Sequence, residues 1–139
     1  MLRPIQLALG SCLVFAMLAT GVPSLAGEPV GLRVKTRMTG WVSMADGYFV
    51  YRRGDTAGID VGVWPSFPRE PVKARLEWRD HGNPWHLLDV SRATLNRDSQ
   101  ALFKVRRIPA GFEFRIQIRI GSTDEHRAGR SAWSYFEAR

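Results

Sequence analysis

Cysteine is all but missing from this 139-residue chain, which holds one, Cys12. With residues 1–26 set aside as a leader none remains, and thiol catalysis, cysteine-based zinc sites and iron–sulfur ligation are excluded together. A secreted domain without disulfides must then stand on its hydrophobic core. Histidine is nearly as scarce, with His81, His86 and His126 the only three, and lysine also numbers three against seventeen arginines. No window carries a helical period, no glycine-rich loop is built to cradle phosphate, and no G-x-S-x-G marks a nucleophile elbow. The length is too short for a doubly wound nucleotide-binding fold or a (β/α)₈ barrel.

What is present begins with an export signal. Arg3 supplies a positive start, Leu7 to Ala19 an apolar stretch, and Ser24-Leu25-Ala26 a small-x-small cleavage signature, so cleavage is expected after Ala26. The apolar run is short for crossing a hydrocarbon layer of about 30 Å. Leu9-Gly10-Ser11-Cys12 has the look of a lipobox, but its cysteine stands in the middle of the apolar run rather than at its end, and it departs with the leader. The remainder loses only Arg3 among its charges and keeps a surplus of six cations. A chain of that size buries about two-thirds of its unfolded surface, enough for one core. Its expected location is secreted, extracellular or cell-envelope associated, with no transmembrane span in the mature chain.

Period-two alternation dominates the mature chain. Val30, Leu32, Val34, Thr36 and Met38 alternate with Gly31, Arg33, Lys35, Arg37 and Thr39, and Ile59, Val61 and Val63 with Asp60, Gly62 and Trp64. Val72, Ala74, Leu76 and Trp78 alternate with Lys73, Arg75, Glu77 and Arg79; a turn cluster, Asp80 to Pro84, then leads into Trp85–Val90, which reads as a hairpin. Ala101, Phe103 and Val105 form a further run, and Pro109-Ala110-Gly111 turns into Phe112, Phe114, Ile116, Ile118 and Ile120, interleaved with Glu113, Arg115, Gln117 and Arg119. About seven short strands separated by turn signals predict an all-β, antiparallel two-sheet β-sandwich over residues 47–139, preceded by a separate edge strand or arm over 27–46.

The run from Ile108-Pro109-Ala110-Gly111-Phe112 to Ile118-Arg119 resembles the L-x-P-G-x-x-Y-x-x-R-V-x-A opening of strand F in fibronectin type III domains. Gly129-Arg130-Ser131-Ala132-Trp133-Ser134 is similar to the G-x-S-x-W-S start of strand G, and to a WSxWS box with Arg130 in place of its first tryptophan. Trp78 and Trp85 fall in the hairpin of strands C and C′. Phe112 or Phe114 stands where the family has a tyrosine, so the corner hydroxyl is missing. An immunoglobulin-like sandwich fits nearly as well.

The resemblance implies that strands C and F are neighbours, which puts Lys73, Arg75, Glu77 and Arg79 beside Glu113, Arg115, Gln117 and Arg119 on one outer face, with Trp133 against it. Two readings follow. Guanidinium–indole stacking, about 0.5–2 kcal/mol per contact, together with Glu–Arg cross-strand pairs makes the face a structural ladder, as in WSxWS-type domains. Surplus charge with aromatic surfaces makes it a binding site, carried by Lys73, Arg75, Arg79, Arg115, Arg119 and Trp133, for acidic glycans or other anionic envelope polymers. Nucleic acid is not an expected partner of an exported protein.

Enzyme chemistry finds little support. His86 and Asp89 have opposite strand parity and diverge, Asp124-Glu125-His126 reads as a solvated turn, and Glu77 and Glu113 are ringed by arginine, which suits ion pairing rather than acid catalysis. Arg53-Gly54-Asp55 spells an adhesive tripeptide but occurs readily in an ordinary turn. The expectation is a non-catalytic binding or structural module without cofactor or metal. A protein-interaction module offering the strand edge Val30–Met38 is the alternative, and a small secreted hydrolase is the third.

Overall fold

The computed structural model describes residues 27–139. The expected leader and Cys12 lie outside the described residues. Every regular element among those residues is a strand: β1 (Arg33–Thr39), β2 (Ser43–Ala45), β3 (Tyr48–Tyr51), β4 (Ala57–Trp64), β5 (Pro71–Arg79), β6 (His86–Thr94), β7 (Gln100–Val105), β8 (Glu113–Ile120), β9 (Gly129–Arg130) and β10 (Ser134–Ala138). They form two sheets, one of three strands ordered β1-β4-β7 and one of seven ordered β2-β3-β10-β8-β5-β6, with β9 paired to β8.

The period-two pattern decides which side of each strand faces the other sheet. Val72, Ala74 and Leu76 of β5 and Phe114, Ile116, Ile118 and Ile120 of β8 point inward and meet Val34, Met38, Ile59, Val61, Val63 and Phe103 of the smaller sheet in one buried cluster. Each fully enclosed isoleucine or phenylalanine there contributes about 1.5–3 kcal/mol. Phe114 stacks on Phe136 at 5.3 Å, and Tyr51 meets Phe136 edge-on at 6.0 Å, which anchors β3 and β10 to the same core. Gly111, at φ 95°, supplies the left-handed residue of the turn into β8. The described residues form an all-β, two-sheet sandwich.

The segment 27–46, expected as an edge strand or arm, contributes two edge strands, β1 at the edge of the smaller sheet and β2 at the edge of the larger one. Other local readings change. One pairing, β3 with β10, is parallel, because the β2–β3 hairpin joins the larger sheet beside its last strand. A bulge opposite Leu76/Glu77 leaves Leu88 unpaired and restores His86 and Asp89 to one face, opposite Trp78 and Leu76. The two are therefore not divergent, yet no group of three or more metal-ligating side chains forms among the described residues. His126 is not solvated. It is fully buried and packs 4.7 Å from Phe67, and the backbone of Val30 bridges to the segment that carries it. Arg53-Gly54-Asp55 is a turn tied to its surroundings by Gly54 N–H donating to Ile108 and by Asp55 accepting from Arg52 N–H. No helix among the described residues is long and apolar enough to cross a membrane.

Candidate functional site

The outer face of the larger sheet divides into two halves of opposite character. Strands β5 and β8 pair directly, in the register Lys73↔Arg119, Arg75↔Gln117, Glu77↔Arg115 and Arg79↔Glu113. Directly opposed residues share a face, so the outward set predicted from alternation is assembled on one surface.

In the first half the cations are stacked and paired. Trp85, at the close of the turn before β6, lies between Arg79 at 4.3 Å and Arg115 at 4.6 Å, and Arg115 also covers Trp133 at 4.1 Å. The sequence of rings and guanidiniums is Arg79–Trp85–Arg115–Trp133. Glu77, buried beneath it, accepts from Arg75 Nε at 2.8 Å and Arg115 Nε at 2.7 Å. Glu113 accepts from Arg79 Nε and pairs with His81 at 3.0 Å, while Arg79 also donates to the Tyr48 hydroxyl at 3.3 Å. Burial pushes both carboxyls up, but the hydrogen bonds from Arg75 and Arg115 to Glu77, and from Arg79 and His81 to Glu113, outweigh it and hold both below the usual carboxylate range. The two glutamates do not oppose each other; each opposes an arginine.

Ser131 explains how Trp133 reaches this face. Its N–H donates to Ile118 O at 2.9 Å, its hydroxyl accepts from Ile118 N–H at 3.0 Å, and its carbonyl accepts from Gln117 Nε2 at 3.0 Å. One residue thus satisfies β8 where β9 ends, and the chain carries Trp133 over Arg115 before β10 begins. Arg130, at the motif position of the first tryptophan, stays outside the stack.

The second half is a row of cations. The register Arg92↔Lys73, Lys73↔Arg119 and Arg119↔Arg130 sets four of them directly opposite one another on β6, β5, β8 and β9. Neighbouring strands lie about 4.8 Å apart, so the row spans about 14 Å. All four side chains are exposed, and none joins an ion pair with a carboxylate among the described residues. Arg119 Nε donates to Gln117 Oε1 at 2.9 Å, which aims it along the face. A groove of about 740 Å³ runs beside it, lined by Lys73, Arg119, Arg130, Pro71, Gly121 and Gly129 among others.

Of the six side chains expected to bind, Arg79, Arg115 and Trp133 belong to the stack, Arg75 is paired with Glu77 beneath it, and Lys73 and Arg119 stand in the row. Arg92 and Arg130 were missed. The hairpin turn at 80–84 signals that β6 runs back along β5, but the bulge shifts the count by one, so Arg92 cannot be aligned with Lys73 from the sequence. No protein-family model matches the chain, and no curated protein matches it either.

Proposed function

We propose that this protein is a secreted or envelope-associated, non-catalytic binding module that captures a linear polyanion along the row Arg92–Lys73–Arg119–Arg130. The observation that carries it is the register: like charges placed directly opposite destabilise a sheet, and four in succession go without an ion pair among the described residues. An acidic glycan or another anionic polymer supplies the missing countercharges at the spacing of the strands. Arginine in three of the four positions favours forked contacts to phosphate, sulfate or carboxylate. The sandwich itself is proposed to be of fibronectin type III kind, with β5, β8 and β10 as strands C, F and G; their adjacency in one sheet is common to immunoglobulin-like sandwiches, and the Arg–Trp stack is what supports the fibronectin assignment.

Titration of the protein with polyphosphate at rising salt tests the reading. The row is held by long-range charge, so affinity falls steeply as the screening length shrinks from about 30 Å at 0.01 M to about 8 Å at 0.15 M. The double substitution Lys73→Gln/Arg119→Gln abolishes the salt-sensitive part. Binding that ignores salt, or that survives the double substitution, refutes it. A protein partner on the unpaired edge of β1 is the second reading, favoured by the position of β1 at the end of its sheet; it predicts weak salt dependence.

A further inference from the structure

The outer face of the smaller sheet takes no part in the cation row. On β4 its outward residues are Gly58, Asp60, Gly62 and Trp64. A glycine inside a central strand weakens it and needs a reason. Gly58 has one, because a Cβ there would collide with Thr39 Oγ1. Gly62 has none within the fold: a Cβ would meet nothing within 4 Å, and its φ is not in the left-handed region. What the missing side chain does is leave the surface open. Such glycines serve bulges, bends or the close approach of a ligand or another backbone; at Gly62 the pairing runs without a register shift on either side and φ is ordinary, which leaves an approaching ligand.

The surroundings define the ligand. Lys35 and Gln100 lie directly opposite Gly62 on either side. Two hollows share these three residues, one of about 710 Å³ reaching Asp60 and Asn96, the other of about 260 Å³ bounded by Trp64, Arg33 and Asp98. Trp64 is 69% exposed, the most exposed large hydrophobic side chain among the described residues, whereas Trp85 and Trp133 are covered by guanidinium groups. An uncovered indole beside an open floor, ringed by an amide and a carboxylate, suits the apolar C–H face and the hydroxyls of a pyranose. Arg37 is engaged by Asp60 at 3.1 Å, but Arg33 and Lys35 make no ion pair among the described residues and are available to an acidic substituent.

We propose that the trough over Gly62 is a saccharide subsite for an acidic pyranose. The sugar ring stacks on Trp64, its carboxylate faces Arg33 and Lys35, and Gln100 and Asp98 take its hydroxyls. The site lies on the opposite sheet from the cation row and does not depend on it.

Calorimetric titration with polygalacturonate, alginate and hyaluronate in the Lys73→Gln/Arg119→Gln background, where capture by the cation row is removed, beside sugar-free polyphosphate on the protein with its row intact, tests the two sites separately. At least one polysaccharide should bind and shield Trp64 from acrylamide quenching. Trp64→Ala and Gly62→Val should each weaken that binding by about tenfold or more and leave polyphosphate affinity unchanged. Gly62→Val is the decisive variant, because valine suits a strand and open space receives it, so an unchanged thermal midpoint confirms the fold. Failure of all three polysaccharides to bind, wild-type polysaccharide affinity in Gly62→Val, or an equal loss toward polyphosphate overturns the proposal.

Discussion

Replacing Glu77 by glutamine removes one charge and almost no volume from the stacked half of the sheet face. The residue is 6% exposed and accepts from Arg75 Nε at 2.8 Å and from Arg115 at 2.7 Å through Nε and 2.6 Å through Nη2. Glutamine keeps one acceptor for one guanidinium and turns a donor toward the other. A hydrogen bond to a charged group contributes about 1.5–3 kcal/mol, and breaking a fully buried ion pair costs about 3–5 kcal/mol. Arg115 and Arg75 retain 22% and 34% side-chain exposure and rehydrate in part, which brings the expected loss to about 2 kcal/mol. The loss should depend on pH. Glu77 and Glu113 are held below the usual carboxylate range in the folded protein. Their contribution is complete above the unfolded carboxylate pKa of about 4.3 and disappears as pH falls through the lower folded value. Urea denaturation followed by tryptophan fluorescence, repeated from pH 7 down to pH 2, measures this directly. The wild type and Glu77→Gln should differ by about 2 kcal/mol at pH 7 and converge in acid. Equal stability at pH 7, or a gap that stays constant to pH 2, would refute the reasoning.

Lys73→Glu places a carboxylate between Arg92 and Arg119; it should raise stability by up to about 1 kcal/mol while lowering polyphosphate affinity, checked by thermal unfolding and titration on the same sample. Ser131→Ala leaves the Ile118 N–H without its acceptor in a buried position, and should cost about 1–3 kcal/mol in urea denaturation. Burial pushes the Tyr51 phenol up to about 12, so its contribution to stability is full below the ordinary value near 10 and is lost as pH rises through the folded value; ultraviolet titration of the wild type against Tyr51→Phe should show that the phenol lost with the substitution ionises well above the ordinary value. His126→Ala empties a fully enclosed site against Phe67, and should cost about 2–4 kcal/mol, whereas a solvated turn residue would cost almost nothing.

Much of the outer face was legible before any coordinates. Alternation is a property of the extended backbone itself, so the assignment of Leu76 and Ile118 to the interior and of Lys73, Arg75, Arg115 and Arg119 to the exterior needed only a count of two. The exposure of Trp64 followed from the same parity, and the six-residue run from Gly129 to Ser134 already pointed to a tryptophan laid over arginine. Register is another matter. Whether an outward arginine meets a glutamate, as Arg115 meets Glu77, or another cation, as Arg119 meets Lys73, depends on how two distant segments slide past each other, and a shift of two residues preserves every inward and outward assignment while exchanging the partners. The unpaired Leu88 changes parity within β6, His126 is buried against Phe67 from a distant loop and bridged by the backbone of Val30 nearly a hundred positions away, and the openness of Gly62 is set by neighbours on two other strands. Alternation within a strand sets which side of the sheet a residue takes, because the extended backbone alone fixes it; which outward residues are buried, as Glu77 and Gln117 are, and which charges are neutralised or left exposed is settled between strands, by the pairing and cover that the folded chain supplies.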